Sequence, residues 1–556
     1  MTTLAARRRL RRRWPVARAG RWPGALLPLG WSLWLLGGVL APLTGNARQR
    51  VVDPGHPAAR DAGDGAAAAP WRTLDYAMRH LAPGDQLEIA AGVYREALRF
   101  PERNDWADHG PTVIRGRGRF VLMASDVVAH WQPAGAGRHS RPWPTEPAQV
   151  WLDGAALTQI GGSLFGGPAR ADIWPGRRAG DQDSMPDRSF YYDAKARLLV
   201  LRVSELPSLA GHTVEVAVRP FLMRGRGLAR VEVHDLEFRH GNASPFARGG
   251  LIQMVGQQLW LDRLRIIAAD AVGLELVGDA NRLTNSVMLF CGQAGLVARG
   301  RHVRIEGNET SYNNTRGFNK WWEAGGAKFV GAGGLRESLV DRHVAIGNQG
   351  DGIWFDWNNQ FNRVTRGIFA GNRGMGIQYE ASSGAWIENN LVVGNRQRGI
   401  YLPHSSDSTV IRNLIAGNGL QGVAIVDEGR GDPAGAFDMT PRNNQVRANL
   451  LAWNGGAVVL PQVLDGNRSD ANQILGAGAQ VLFQAGWQGT AVPLARWQGA
   501  SGQDVRSTVV PLTRPATLGA EATWLQFLQW FAAWPERGQT PLGPQWPDAL
   551  GKPAPQ

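Results

Sequence analysis

The amino-acid sequence predicts an all-β chain wound as a parallel β-helix, a solenoid whose coils repeat about every 23 residues. Three observations carry that prediction. Glycine followed by a small or aliphatic residue recurs at Gly250, Gly273, Gly295, Gly326, Gly352, Gly376, Gly399, Gly422 and Gly456, in steps of 23, 22, 31, 26, 24, 23, 23 and 34. An independent apolar track through Ile305, Val340, Val364, Ile387, Val410 and Val446 steps by 35, 24, 23, 23 and 36, so both tracks lengthen at the same places. Asparagine recurs four positions before the glycine at Asn348, Asn372, Asn395 and Asn418. A short period built from brief β-branched runs marks a solenoid, and the long 3.6-spaced runs of helical repeats are absent. Asparagine tolerates left-handed turns and stacks its amide on copies of itself in neighbouring coils.

The elements follow in chain order. Residues 1–50 hold ten Arg and no acid, with Arg7 to Arg13 nearly continuous in charge and no charge from Trp22 to Ala47. A basic stretch before an apolar one reads as a signal peptide, with Gly45-Asn46-Ala47 as small residues for cleavage. The 26 uncharged residues also exceed the roughly 20 that span a bilayer, so an inner-membrane anchor is the alternative. Either way the basic cluster stays cytoplasmic and the rest is expected to be exported, periplasmic or secreted. Residues 51–130 are expected to form an N-terminal cap and first coils, with a short capped helix around Trp71–Met78 and a turn at Pro83-Gly84-Asp85 into the strand Gln86–Ile89. Residues 131–220 break the repeat with Pro, Gly and Arg, then read as a hairpin over Phe190–Val200, and predict an inserted β-rich subdomain. Residues 221–504 carry the β-helix and its groove, and residues 505–556 a C-terminal cap or tail. Within that tail the apolar stretch Trp524–Trp534 is expected to cover the last coil, because an open coil would expose strand edges.

Composition excludes several classes. Beyond the leader, the chain carries 50 basic and 47 acidic side chains, a net charge of +3 against +13 for the whole. A nucleic-acid surface needs its basic patch on the folded domain, so no nucleic-acid partner is expected. The single Cys291 excludes a disulfide framework and any cysteine-rich metal site. The expectation is a monomer that touches membrane only through its N-terminal segment.

Two stretches resemble a known group. Val52-Asp53-Pro54, Asp61 to Gly65, Pro70 to Leu74, Pro83-Gly84-Asp85 and Gly92 to Glu96 are similar to the opening of secreted right-handed parallel β-helix carbohydrate-active proteins. Gly325-Gly326-Ala327-Lys328-Phe329-Val330-Gly331, with His343–Asn348 and Gly352–Asn359 after it, resembles the Gly-x-x-Lys-Leu-Gly-Gly region of the lysine-dependent pectate lyases. The resemblance implies a right-handed helix, a polysaccharide substrate and Lys328 as a base. Those lyases hold calcium on paired Asp residues before the lysine, and the matching stretch Cys291–Arg299 has no acid.

Strand alternation assigns the faces. With Gly+1 and Gly+3 inward, the inward set is Leu274/Leu276, Leu296/Ala298, Ala327/Phe329, Ile353/Phe355, Ile377/Tyr379, Ile400/Leu402 and Val423/Ile425, apolar throughout. The outward set is Glu275, Val297, Arg299, Lys328, Val330, Trp354, Asp356, Gln378, Glu380, Tyr401 and Pro403. Coils stack about 4.8 Å apart, so Lys328, Asp356 and Glu380 share one face. Trp354, Trp357 and Tyr401 are expected as exposed rings for sugar faces, with Gln378, His404, Asn358 and Asn359 as further substrate contacts. Glu275 is expected as solvated edge decoration. Insertions at Phe318–Ala324 and Arg430–Met439 would wall the groove.

Lys328 stands out because only four of the 60 basic residues are Lys (195, 320, 328 and 552). Lysine can give up its proton when desolvated, and arginine effectively cannot. The leading expectation is therefore an exported lyase that cleaves an acidic polysaccharide by β-elimination, with Lys328 as base. Arg299, or a divalent cation such as calcium held by Asp356 and Glu380, would neutralise the uronate carboxylate. Two alternatives stand beside it: a glycoside hydrolase using Asp356 and Glu380, and a non-catalytic glycan-binding or structural β-helix.

Overall fold

The computed structural model describes residues 48–161, 180–243, 249–331, 333–432, 435, 437–486, 488–519 and 522–533. Residues 1–47 of the predicted leader lie outside these residues, and its last two residues already belong to the first strand, Gln49–Val52. Three long parallel sheets, each of 13 strands, run along the solenoid, and successive coils add a strand to each in turn. The first sheet aligns Ile305, Val340, Val364, Ile387, Val410 and Val446 as direct partners, so the apolar track is one column of the core. The third sheet holds the glycine track, with strands Gly325–Phe329, Asp351–Asp356, Ile377–Glu380, Ile400–Pro403 and Gln421–Val426 side by side. Its inward residues, among them Leu274, Phe329, Ile353, Phe355, Tyr379 and Leu402, are fully buried in one continuous core.

The asparagine track is a hydrogen-bonded ladder. Each Nδ2 donates to the Oδ1 of the next coil, from Asn348 to Asn372, Asn372 to Asn395 and Asn395 to Asn418, at 2.9 Å each. Each also satisfies a carbonyl of its neighbouring coil, as Asn395 Nδ2 does for Phe369 at 3.0 Å. The glycine track exists for the same reason. A Cβ at Gly376 would stand 2.8 Å from Asn395 Nδ2, and one at Gly352 2.9 Å from Asn372 Nδ2. The amide shares that space with still nearer atoms, the Gly376 carbonyl oxygen at 2.6 Å for Gly352 and Val392 Cγ1 at 2.4 Å for Gly376, so a side chain is excluded and the two residues recur together.

Both ends of the core are covered by helices. Helix α1, Leu74–His80, is capped by Thr73, whose hydroxyl accepts from Tyr76 N, and it buries Leu74, Ala77 and Met78 at the N-terminal end. At the other end the expectation needs correction. The helix over the last coil is α2, Leu494–Ser501, whose Trp497 stacks on Phe483 at 5.9 Å within the main core. Helix α3, Trp524–Ala533, instead lies against the outer face of the second sheet, packing Phe527 and Phe531 with Leu414, Leu450 and Trp453. Apolar residues on that outer face, such as Leu391 and Ala416, supply the surface that drew it there.

Residues 125–217 contribute two small, mainly antiparallel sheets with their own apolar core. Ser189–Asp193 pairs antiparallel with Leu198–Arg202 as a hairpin. A polar cluster ties this region to the solenoid. Glu215 takes hydrogen bonds from Arg95 and Ser125, and Trp151 stacks on His240 at 3.5 Å. Burial alone would raise the Glu215 carboxyl, but His240, Arg95 and Ser125 hold it down to about 2.

Candidate functional site

The outward face of the third sheet brings the sequence candidates into two rows. Lys328, Trp354, Gln378 and Tyr401 are successive partners across four strands, and Asp356 is directly opposite Glu380. Lys328 Nζ lies 2.9 Å from Asp356 Oδ2 and 3.3 Å from the centre of the Trp354 ring, and it donates to the Trp322 carbonyl. Glu380 Oε2 accepts from Trp354 Nε1 at 3.0 Å and from Gln378 Nε2 at 2.7 Å. Its Oε1 accepts from Arg430 Nη2 at 2.6 Å.

The register is as expected, but the exposure is not. Trp354 and Tyr401 are each 6% exposed, so neither is an open sugar platform. Lys328, Gln378 and Glu380 are buried as well. The physical reason is the two insertions, which close over the floor: Trp322 on one side reaches Lys328, and Arg430 on the other reaches Glu380. Asp356 remains partly accessible, and Trp357 stays exposed at the rim, edge-on to Phe437 at 5.5 Å.

The remaining candidates divide. Arg299 and Glu275 face each other at 3.9 Å across a cavity of about 280 Å³ that also meets Gln293, Glu323 and Trp357. Glu275 is therefore buried and paired rather than solvated decoration. His404 is buried in a left-handed turn, with Nε2 accepting from Glu428 N at 3.2 Å. Asn358 Oδ1 accepts from Gln360 at 2.7 Å. Asn359, expected to touch substrate, is instead fully buried in a corner of the coil, with Oδ1 accepting from Leu335 N at 2.7 Å and Nδ2 donating to Phe329. An asparagine just after an outward run carries no mark in the sequence that separates a ladder residue from a groove residue.

Three further polar residues of this face and its walls escaped the sequence reading. Arg430 bridges Glu380 and Glu428, at 2.6 and 3.3 Å. Glu428 accepts from the Tyr401 hydroxyl, and its carboxyl is held down to about 2 by His404 and, against its burial, by Tyr401 and Arg430. Burial, reinforced by Glu428, pushes the Tyr401 hydroxyl upward. Asp351, at the start of its strand, is the third. Only a charged residue at the end of the uncharged turn Gly347-Asn348-Gln349-Gly350 could have flagged it.

Asp351 is fully buried, its Oδ1 accepting from Met375 N at 2.7 Å, and burial pushes its pKa up to about 7 against the pull of Lys328. The folded state thus keeps a proton that the unfolded chain releases. Stability then falls as pH rises from about 4 to about 7, and is level above. Asp351→Asn preserves the acceptor for Met375. It is expected to melt above the parent at about pH 8 and level with it at about pH 4. Identical melting at both values would refute the buried proton.

Calcium fits this floor poorly. The oxygens of Asp356 and Glu380 already accept from a lysine, an arginine, an indole and an amide, whereas calcium needs six or more oxygen ligands. Among the described residues, no group of three or more His, Cys, Asp or Glu is placed to hold a metal ion.

Residues 250–445, and 369–484 in a second match, fit the family described as right handed beta helix region. The chain carries a right-handed parallel β-helix. No curated protein matches it significantly. Among solved structures, this β-helix is similar to XylC in complex with xylose, at 14% identity and TM-score 0.53 over 77% of this chain and 86% of that one. It is also similar to a glycoside hydrolase, at 13% identity and TM-score 0.50 over 82% of this chain and all of that one (100%). At such identities the likeness is one of fold.

Proposed function

We propose that this β-helix is a polysaccharide-active enzyme, a retaining glycoside hydrolase with Asp356 as nucleophile and Glu380 as acid/base. The observation that carries this reading is the state of Lys328. Its Nζ lies against a carboxylate, a carbonyl oxygen and an indole face, partners that suit an ammonium and leave no lone pair for proton abstraction. A lysine so placed pairs with the Asp356 carboxylate and holds it aimed, as a nucleophile requires.

Asp356 and Glu380 are opposite on neighbouring strands, and a strand spacing of about 4.8 Å suits the roughly 5 Å carboxyl separation of retaining enzymes. Asp356 would attack the anomeric carbon, while Glu380, taking up a proton from solvent as the substrate displaces Arg430, would pass that proton to the departing glycosidic oxygen. Glu380 would then take a proton from water, which releases the sugar with its configuration kept. The glycosidic oxygen would take the place on Glu380 Oε1 now held by Arg430. Gln378 Oε1, a buried acceptor without a hydrogen-bond partner among the described residues, can receive a sugar hydroxyl. The glycoside hydrolase that shares the fold is consistent with this chemistry.

The lyase reading keeps one supporting observation, Arg299 beside the cavity next to Lys328, which suits a uronate carboxylate. A screen of neutral and acidic glycans, read by reducing ends, ultraviolet absorbance and product mass, tests both. New reducing ends without an unsaturated product support hydrolysis, an absorbing product supports elimination, and binding without turnover leaves neither. Lys328→Arg separates them further. The ion pair to Asp356 survives, so hydrolysis should stay within about tenfold of the parent, whereas a lysine base would lose roughly a hundredfold or more.

A further inference from the structure

A second cluster of polar and aromatic groups lies at the turns between the second and third sheets, away from the carboxylate pair. In two adjacent coils the residue after the ladder asparagine is arginine: Arg373 after Asn372, and Arg396 after Asn395. These equivalent positions stack one coil apart, about 4.8 Å. The insertion that walls the groove adds a third cation, Lys320, whose Nζ donates to the Arg373 carbonyl at 3.0 Å. The three surround a cavity of about 650 Å³ whose lining contains no Asp or Glu. None of the three forms a salt bridge to a carboxylate among the described residues.

Aromatic surface adjoins these charges. Tyr312 lines the cavity and stacks on Phe290, with centres 5.4 Å apart, yet the two rings are 40% and 43% exposed. Trp321, 53% exposed, lies under Lys320 Nζ at 4.6 Å. Three like charges gathered in a cavity repel one another until an anion joins them. Burial lowers the Lys320 pKa, with Arg396 and Arg373 adding to it against the opposing pull of Asp351, which lies outside the lining of the cleft. Flat, exposed rings beside them suit the faces of sugar rings.

We propose that this cleft is a second glycan site, one that takes an acidic saccharide with its carboxylate among Lys320, Arg373 and Arg396 and a ring on Tyr312. The inference rests on the polysaccharide reading of the groove, but uses none of its residues. The near-neutral charge of the chain beyond its leader, +3, favours a local acidic sugar over a long nucleic-acid track. The site also bears on the groove. Lys320 is two residues from Trp322, whose carbonyl holds Lys328, so an occupant of the cleft steadies the loop that closes the catalytic floor.

The test is electrophoresis through gels containing polygalacturonate, with chondroitin sulfate, neutral arabinoxylan and a single-stranded oligonucleotide as comparison arms. Polygalacturonate should retard the parent more than arabinoxylan does, and added salt should weaken the effect. Arg373→Gln/Arg396→Gln should lose roughly fivefold to tenfold in affinity while melting as the parent does, and Lys320→Gln should weaken it in the same direction. Chondroitin sulfate, which carries uronate carboxylates beside its sulfates, should also retard the parent. The proposal falls if neither acidic polymer retards the parent, if the double variant migrates as the parent, or if the oligonucleotide binds more tightly and is lost with the same substitutions. Asp356→Asn should be retarded like the parent. Should Asp356→Asn retain full turnover while the double variant loses retardation, the hydrolase reading fails and this site stands.

Discussion

Asp356→Asn is expected to fold like the parent and to lose about three orders of magnitude or more in glycoside turnover. The amide keeps the shape of the side chain and remains within reach of Lys328, so the floor should stay packed. It cannot form the covalent sugar intermediate, and removal of a covalent nucleophile strikes the transition state rather than substrate binding. The loss should therefore fall on kcat, with KM changed little. Glu380→Gln should show a similar loss on substrates with poor leaving groups, and a much smaller one where the leaving group needs no proton. A small anion such as azide should restore turnover to Asp356→Ala and give a product of inverted configuration. If Asp356→Asn retains turnover within a few-fold of the parent, the carboxylate pair is not the catalytic machinery.

Asn395→Ala is expected to destabilise the protein by about 3 kcal/mol or more, a large effect for one small side chain. The substitution removes the Asn395 side chain from Asn372 N and from the Phe369 carbonyl, at 3.0 Å each, whereas Asn372 Nδ2 keeps the Ala345 carbonyl and Asn418 Oδ1 keeps the backbone N–H of residue 395. All of these groups are buried, and each buried polar atom left unpaired costs about 1–3 kcal/mol. The alanine methyl fits easily, so the loss comes from orphaned groups and not from overpacking. Chemical denaturation of parent and variant measures it, and a loss below about 1 kcal/mol would show that water has entered the ladder.

The repeat was legible because it obeys a rule that acts at every coil. Gly376 and Asn395 recur with their period because one leaves the space that the other fills. Alternation placed Lys328, Trp354, Asp356, Gln378 and Glu380 on one face, and that face is where they lie. What the sequence concealed is what covers the face. Trp322 and Arg430 come from insertions that follow no period, and they turn an open sheet into a closed floor. Asn359 shows the converse limit, since a residue three positions past the strand changes from groove to core with the sense of a single turn. The C-terminal helix was misplaced for a similar reason. Its apolar face could cover either the open end or the flank, and only α2 with Trp497 decided which remained.

The interlock of ladder amide and glycine has an evolutionary corollary. Each coil between Gly352 and Gly422 presents the next with the same amide and the same bare backbone, so its two faces are interchangeable plugs and sockets. Duplicating one such stretch in the gene would splice a further coil into the stack without a new joint having to be invented. The cleft would lengthen by one strand spacing, about 4.8 Å, close to the rise of one sugar along an extended chain. Chain-length preference for a glycan could then be set by counting copies, while the walls that confer chemistry are left where they stand.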